Sequence, residues 1–258
     1  VIALAPALAQ GRAGGRKLLV PYLMAGMVPD WLRAVEAVAV AGADAIEVGI
    51  PFSDPIMDGP TIQEAAVRSL AAGTTPPGVL EELARADVAV PLVVMTYYNV
   101  VYRAGHRRAA RDMAASGVSG AILPDLPLEE IDGWAAEADA AGIDTVLLVA
   151  PSSPPDRVAR ICARSRGFLY AVGRMGVTGE RHDVGDAVPA LVQAIRAATE
   201  LPILVGVGVS TPEQAVRICR HADGVVVGSA LVHRLLDGGG PEAAAAFVAE
   251  LRGALDTH

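Results

Sequence analysis

Eight short apolar runs recur along the chain, and Ala-rich stretches of helical period separate them. The runs are Leu18–Met24, Asp44–Gly49, Pro91–Tyr97, Gly120–Leu123, Thr145–Val149, Gly167–Val172, Ile203–Gly206 and Gly224–Val227. Their apolar character is nearly continuous, as in parallel strands buried on both faces. The stretches between them are Trp31–Ala41, Thr61–Ala71, Gly78–Ala86, Arg107–Ala115, Glu129–Ala141, Pro155–Ser165, Val188–Thr199 and Pro212–Arg220. Several begin after Asp, Ser or Thr, or carry an early Pro, the usual marks of a helix start. Strands joined by crossover helices either close into a (β/α)8 TIM barrel or lie open in a doubly wound sheet. The open sheet would normally carry a Gly-rich fingerprint after strand 1, and none is present. The 258 residues suit one barrel. The expectation is therefore α/β: a single (β/α)8 barrel domain over 1–258. It carries an N-terminal helix within Val1–Gln10 and an extra helix, Gly78–Ala86, in an enlarged strand 2–strand 3 connection.

A weak internal repeat supports this architecture. Ala41-Gly-Ala-Asp44, Ser116-Gly-Val-Ser119, Ala141-Gly-Ile-Asp144 and His221-Ala-Asp223 each end a helix on small residues, turn on a polar one and enter an apolar strand. Composition excludes other classes. With 52% hydrophobic and 19% charged residues the chain is not disordered. A net charge of -8 argues against nucleic acid and anionic membranes as partners. No apolar run approaches the length of a membrane span. Cys162 and Cys219 read as packing residues of a protein in a reducing, cytoplasmic setting. Val1–Gln10 lacks the basic start of a signal peptide, and Pro6 interrupts its apolar run.

Chemistry concentrates at two places. In strand 2, period-2 alternation sets Ala45, Glu47 and Gly49 against Ile46 and Val48. The face with Ala and Gly is the crowded interior, so Glu47 points into the barrel mouth. A buried carboxylate titrates upward and suits general acid/base work. An arginine-paired structural carboxylate is the alternative, and position favours chemistry. The following loop, Pro51-Phe-Ser-Asp-Pro-Ile-Met-Asp-Gly-Pro60, presents Asp54 and Asp58 on a stiff backbone. Turn chemistry explains these Asp residues equally well locally, with Thr61 as the expected cap of the next helix.

The second place is glycine-rich. Met175-Gly-Val-Thr-Gly179 follows strand 6, Gly206-Val-Gly208 follows strand 7, and Gly228-Ser229 precedes a short helix, Ala230–Leu236. Loops of this kind after strands 7 and 8 hold phosphate in barrels through backbone N–H groups and a helix N-terminus. The scattered histidines make a zinc site improbable chemistry. Lys17 is the sole lysine and precedes strand 1, at the wrong rim for a Schiff base. Carboxylate acid/base catalysis on a small phosphorylated substrate is left.

The segment Glu47-Val-Gly-Ile-Pro-Phe-Ser-Asp-Pro-Ile-Met-Asp-Gly-Pro-Thr-Ile-Gln63 closely resembles the signature of the tryptophan synthase α-subunit family. Met95-Thr-Tyr-Tyr-Asn99, Pro124-Asp-Leu-Pro127, Gly176-Val-Thr-Gly179, Gly206-Val-Gly208 and Gly228-Ser-Ala230 reinforce it, over about Leu18 to Val232. The resemblance implies retro-aldol cleavage of indole-3-glycerol phosphate to indole and glyceraldehyde 3-phosphate. It implies Glu47 as acid/base, Asp58 as acceptor of the indole N–H and Tyr170 beside the glutamate. Gly179, Gly208, Gly228 and Ser229 match phosphate-binding positions. Tyr22, Met95 and Ile122 match the indole pocket, although apolar strand residues are commonly just core.

By the same resemblance, Pro51 and Asp54 face a β-subunit in an α2β2 complex, and Arg174 and Thr178 belong to a lid over Gly173–Asp186. No cofactor or metal is expected in this chain; pyridoxal phosphate belongs to the β partner. Three departures stand out. The lid segment Glu180–Asp186 is longer and more charged than usual, Tyr22 replaces a common phenylalanine, and the chain begins without Met. The rival functions are a stand-alone lyase releasing free indole, a non-catalytic partner subunit, and another phosphate-binding barrel enzyme.

Overall fold

In a computed structural model, residues 1–173, 187–206 and 208–257 are described. Eight parallel strands close into a barrel in sequence order. They are β1 (Leu18–Met24), β2 (Ile46–Gly49), β3 (Leu92–Met95), β4 (Val118–Ile122), β5 (Asp144–Val149), β6 (Leu169–Val172), β7 (Ile203–Gly206) and β8 (Gly224–Val227). The ring closes where Leu18 pairs with Gly224. Around it run α1 (Leu4–Ala13), α2 (Trp31–Val40), α3 (Pro60–Ala71), α4 (Pro76–Leu83), α5 (Tyr98–Ala104) and α6 (His106–Ala115). They are followed by α7 (Asp132–Ala141), α8 (Pro155–Arg164), α9 (Ala187–Arg196), α10 (Pro212–Cys219), α11 (Ser229–Leu236) and α12 (Gly240–Asp256).

Strand alternation builds two apolar layers. Leu18, Val20, Ala45, Val93, Ile122, Val146, Phe168, Leu204 and Val226 fill the barrel interior. Leu19, Leu23, Ile46, Val48, Val94 and Val225 face outward into the larger core beneath the helices. Cys162 and Cys219 are free and buried. The N-terminal helix does more than lie on the body. Leu4 and Leu8 of α1 join the interior cluster and plug its lower end. Gly120 and Gly167 make room for them: a Cβ there would stand 2.6 Å and 2.7 Å from Leu4 Cδ2.

The repeated helix-to-strand turn has a physical role. Asp44 accepts the Leu19 N–H at 2.8 Å, and Asp223 accepts that of Ile203 at 2.8 Å. Asp144 accepts the Ala5 N–H at 2.9 Å. Each of these three Asp residues thus ties its strand entry to a neighbouring segment, whereas the Ser119 hydroxyl at the fourth turn is buried without a partner. Arg16 and Arg252 pair with Asp44, and Arg196 pairs with Asp223.

The expected N-terminal helix is present as α1, with Pro6 in its first turn, where the missing N–H would have no helical acceptor. Three sequence expectations need correction. The α3 helix is not capped by Thr61: Pro60 is its first residue and Gly59 its N-cap. β3 ends at Met95, and Tyr98–Ala104 forms the helix α5, hidden from sequence because β-branched and aromatic residues there read as strand. β6 begins at Leu169 because Gly167 turns with φ of 75°. The extra helix in the β2–β3 connection is present as α4. The segment 174–186 lies outside the described residues.

Candidate active site

Glu47 projects inward from β2 between the inner-layer residue Ala45 and Gly49, with only 1% of its surface exposed. Its Oε2 is buried with no hydrogen-bond partner, and no arginine pairs with it among the described residues. A charged carboxylate in that setting lacks both water and counter-ion. Burial, and then the nearby Asp58, push its carboxyl up to about 8.

Asp58 arrives on the loop that follows β2. Two turns compact this loop: the Ile56 N–H donates to the Asp54 carbonyl at 2.9 Å and the Asp58 N–H to that of Pro55 at 3.1 Å. The Gln63 side chain holds the Asp58 carbonyl at 2.9 Å. Burial pushes the Asp58 carboxyl up to about 6, against the pull of a hydrogen bond from Tyr97. That bond spans 3.2 Å from Tyr97 Oη to Asp58 Oδ2. Tyr97 Oη in turn accepts the Met57 N–H at 2.8 Å, and Phe52 stacks on the Tyr97 ring at 4.9 Å. Tyr97 therefore locks the carboxylate loop onto the end of β3. Sequence reading gave Tyr97 no role. The available signal was a tyrosine just past a strand's C-terminal end, since a buried phenol needs a hydrogen-bond partner.

The two carboxyls are thereby driven apart. Between about pH 6 and 8 the favoured state is ionised Asp58 beside protonated Glu47. The steps belong to the interacting pair as much as to either residue. Such a pair supplies a proton donor and a fixed negative charge in one cavity.

Two phenols flank it. Tyr22 of β1 stands in register with Glu47, and its hydroxyl lies over Gly49, 2.2 Å from where a Cβ would be. Tyr170 of β6 lies likewise over Gly206, 2.5 Å from a Cβ position. Burial first, and then the carboxylates, hold both phenols well above the usual range. Met95 pairs in register with Gly49 on one side and Ile122 on the other, so both apolar residues sit at the same level of the mouth. Met95 is partly open, whereas Ile122 is fully buried.

The glycine-rich ends come together on the other side. Gly208 and Gly228 each lie three residues beyond the paired Val205 and Val225 of β7 and β8. Gly208 has φ of 69°, which a side chain would disfavour. Gly228 is the N-cap of α11, and its carbonyl accepts from Leu231 and Val232. The N–H groups of Ser229 and Ala230 precede the helix's own bonding and face its positive end. Gly179, Arg174 and Thr178 lie outside the described residues.

The model of the family described as tryptophan synthase alpha chain matches residues 8–255. The chain is 49% identical to the tryptophan synthase alpha chain of Thermobifida fusca, covering 89% of this chain and 87% of that one. It is 46% identical to that of a Synechococcus strain, covering 94% and 93%. A solved structure of Mycobacterium tuberculosis tryptophan synthase superposes with a TM-score of 0.92 at 42% identity, covering 98% of this chain and 97% of that one. The chain belongs to the tryptophan synthase alpha chain family. It is accordingly a lyase of tryptophan biosynthesis, and the family's reaction is cleavage of indole-3-glycerol phosphate.

The tryptophan synthase alpha family needs no cofactor of its own, and its name and solved complexes point to a β-subunit partner. Among the described residues, no group of three or more His, Cys, Asp or Glu side chains is placed to hold a metal ion. No described helix is long and apolar enough to cross a membrane. Of the residues expected at the partner face, Pro51 is buried at the loop's base, while Asp54 is exposed and accepts from Ser53 Oγ at 2.5 Å.

Proposed function

We propose that Glu47 and Asp58 carry the cleavage. The observation that supports it is a buried Glu47 carboxyl with an unpartnered oxygen in the barrel mouth, and Asp58 brought beside it by the β2 loop. That environment raises Glu47 above Asp58. Protonated Glu47 donates to indole C3, which leaves the ring as an iminium cation. Ionised Asp58 accepts the indole N–H and stabilises that positive charge. The Glu47 carboxylate then takes the proton of the hydroxyl on the adjoining glycerol carbon. The O–H electrons become the aldehyde C=O, and the broken C–C bond returns its pair to the ring. Indole and glyceraldehyde 3-phosphate leave, and Glu47 is protonated again. One proton cycles, so no cofactor enters the balance.

Tyr170 packs beside the acid/base, and Tyr22, Met95 and Ile122 form the indole pocket. Gly208, Gly228 and Ser229, with Gly179, hold the phosphate, where the α11 N-terminus takes the place of a lysine. Arg174 and Thr178 act in a lid that excludes water during the reaction. Residues 1–258 form one barrel domain.

The partner is a β-subunit carrying pyridoxal phosphate in a cytoplasmic α2β2 complex. Its docking face is the mouth rim around Pro51 and Asp54. Ile56, Met57 and Tyr102 support this, for they expose 78%, 48% and 68% of their surfaces on the loop after β2 and on α5. Indole release from indole-3-glycerol phosphate by the purified chain, with and without a cognate β-subunit, tests the proposal. Weak activity alone and a large rise with partner is expected. High activity alone with no rise would make the chain a stand-alone lyase, and no activity in either condition would overturn the assignment.

A further inference from the structure

Tyr22 carries a hydroxyl that packing alone does not require. The side chain is buried, and Gly49 leaves the gap its Oη occupies. Among the described residues that hydroxyl meets Met24 Sδ at 3.9 Å. A thioether is a weak acceptor, and buried phenols ordinarily find a better one. Tyr22 pairs in register with Glu47, and Gly49 is the next inward-facing position above Glu47 on the same strand. The hydroxyl is thus held over the strand that carries Glu47, whose Oε2 is buried and unpartnered. A poorly satisfied donor and an unsatisfied acceptor face the barrel mouth from paired positions on neighbouring strands.

We propose that Tyr22 is a positioning residue for Glu47, its hydroxyl turning from Met24 to donate a hydrogen bond to the Glu47 carboxylate whenever that carboxylate forms. This rests on the reading of Glu47 as the acid/base. While Glu47 is protonated, the thioether contact suffices. After Glu47 gives up its proton, the carboxylate needs a donor to orient it for the next transfer. Tyr22 supplies one without itself ionising, because burial and the carboxylates hold its phenol far above neutral. The other titratable groups around the cavity are Asp58 from the β2 loop, Tyr170 from β6 and Tyr97 beyond β3. Tyr97 already donates to Asp58. A phenylalanine at this position would fill the same volume and lack the donor.

The test is carbon-13 titration of the Glu47 carboxyl in the substrate-free chain, its signal assigned by its loss in Glu47→Gln. A hydrogen bond to the ionised form lowers a carboxyl's pKa, so removing it raises the midpoint. Tyr22→Phe keeps the ring, and the account predicts a midpoint higher by about one pH unit, roughly tenfold in the ionisation constant. Placing 3-fluorotyrosine at position 22 strengthens the donor and is expected to move the midpoint the other way. In turnover, the alkaline limb of kcat in Tyr22→Phe moves with the midpoint. An unmoved midpoint in both variants would overturn the proposal, as would a change in KM alone. Failure of the wild-type chain to cleave indole-3-glycerol phosphate would instead strike the functional assignment, since the titration needs no substrate.

Discussion

The two rims of this barrel use carboxylates in opposite ways. At the N-terminal rim, Asp44, Asp144 and Asp223 each accept a backbone N–H, and Asp44 and Asp223 also pair with arginines. At the C-terminal rim, Glu47 has an unpartnered oxygen and Asp58 rests on a phenol. Burial acts on both rims; Asp144, too, is shifted upward by it, though the Ala5 amide pulls back. What differs is compensation. Satisfied carboxylates hold strand ends in place. Unsatisfied ones keep titrations near neutrality, where protons can move. The lower rim stabilises, and on the proposed mechanism the upper rim gives up stability for chemistry.

Substitutions at the two rims should therefore separate activity from stability. The largest effect belongs to Glu47→Gln, which removes the proton donor. Its kcat should fall by about a hundred- to ten-thousandfold or more. Its thermal unfolding should not suffer. A carboxyl raised in the folded state favours the protonated form, so the wild type loses stability as pH rises from about 4.5 to 8. Glu47→Gln should escape that loss, with its advantage in denaturant midpoint growing across the same window. Equal pH slopes in the two proteins would contradict the burial argument.

Asp58→Asn comes next. It should lower kcat by about a hundredfold while the chain stays folded by circular dichroism, and unchanged turnover would remove Asp58 from the mechanism. Asp44→Ala reverses the pattern. It leaves Arg252, nearly buried, without its buried carboxylate partner, with only the half-exposed Asp256 remaining, and the Leu19 N–H without an acceptor. A loss of about 3 kcal/mol in chemical denaturation is expected, with kcat almost unchanged in the folded fraction. The smallest effect sharpens the comparison at the plug. Gly120→Ala drives a methyl against Leu4, and should cost about 1–3 kcal/mol through displacement of α1, again with kcat preserved. A large kcat loss there would mean the rims are coupled through the interior.

The sequence made the barrel legible because both apolar layers come from strict alternation, and Ala45-Ile46-Glu47-Val48-Gly49 shows it in five residues. Glu47's inward direction followed from that alternation alone. Helix α5 did not follow, because Tyr98-Asn-Val-Val-Tyr carries strand-like propensity that tertiary packing overrides. Tyr97 escaped for a different reason. Its partners Asp58 and Met57 lie about 40 residues away in sequence, and no local period connects them. The plug was half legible: an apolar N-terminal helix was evident, but not the two distant glycines, Gly120 on β4 and Gly167 in the turn before β6, that admit Leu4. The glycine-rich end proposed to hold phosphate was read from glycine spacing, and the register of Gly208 with Gly228 required the closed barrel.

Near neutrality the two carboxyls of the mouth stand in different ionisation states, Asp58 charged and Glu47 neutral. The pH dependence of kcat/KM for indole-3-glycerol phosphate tests it most directly. The account predicts a bell, with an acid limb near 6 as Asp58 ionises and an alkaline limb near 8 as Glu47 loses its proton. A flat profile from pH 5 to 9, or activity that keeps rising above 8, would contradict it.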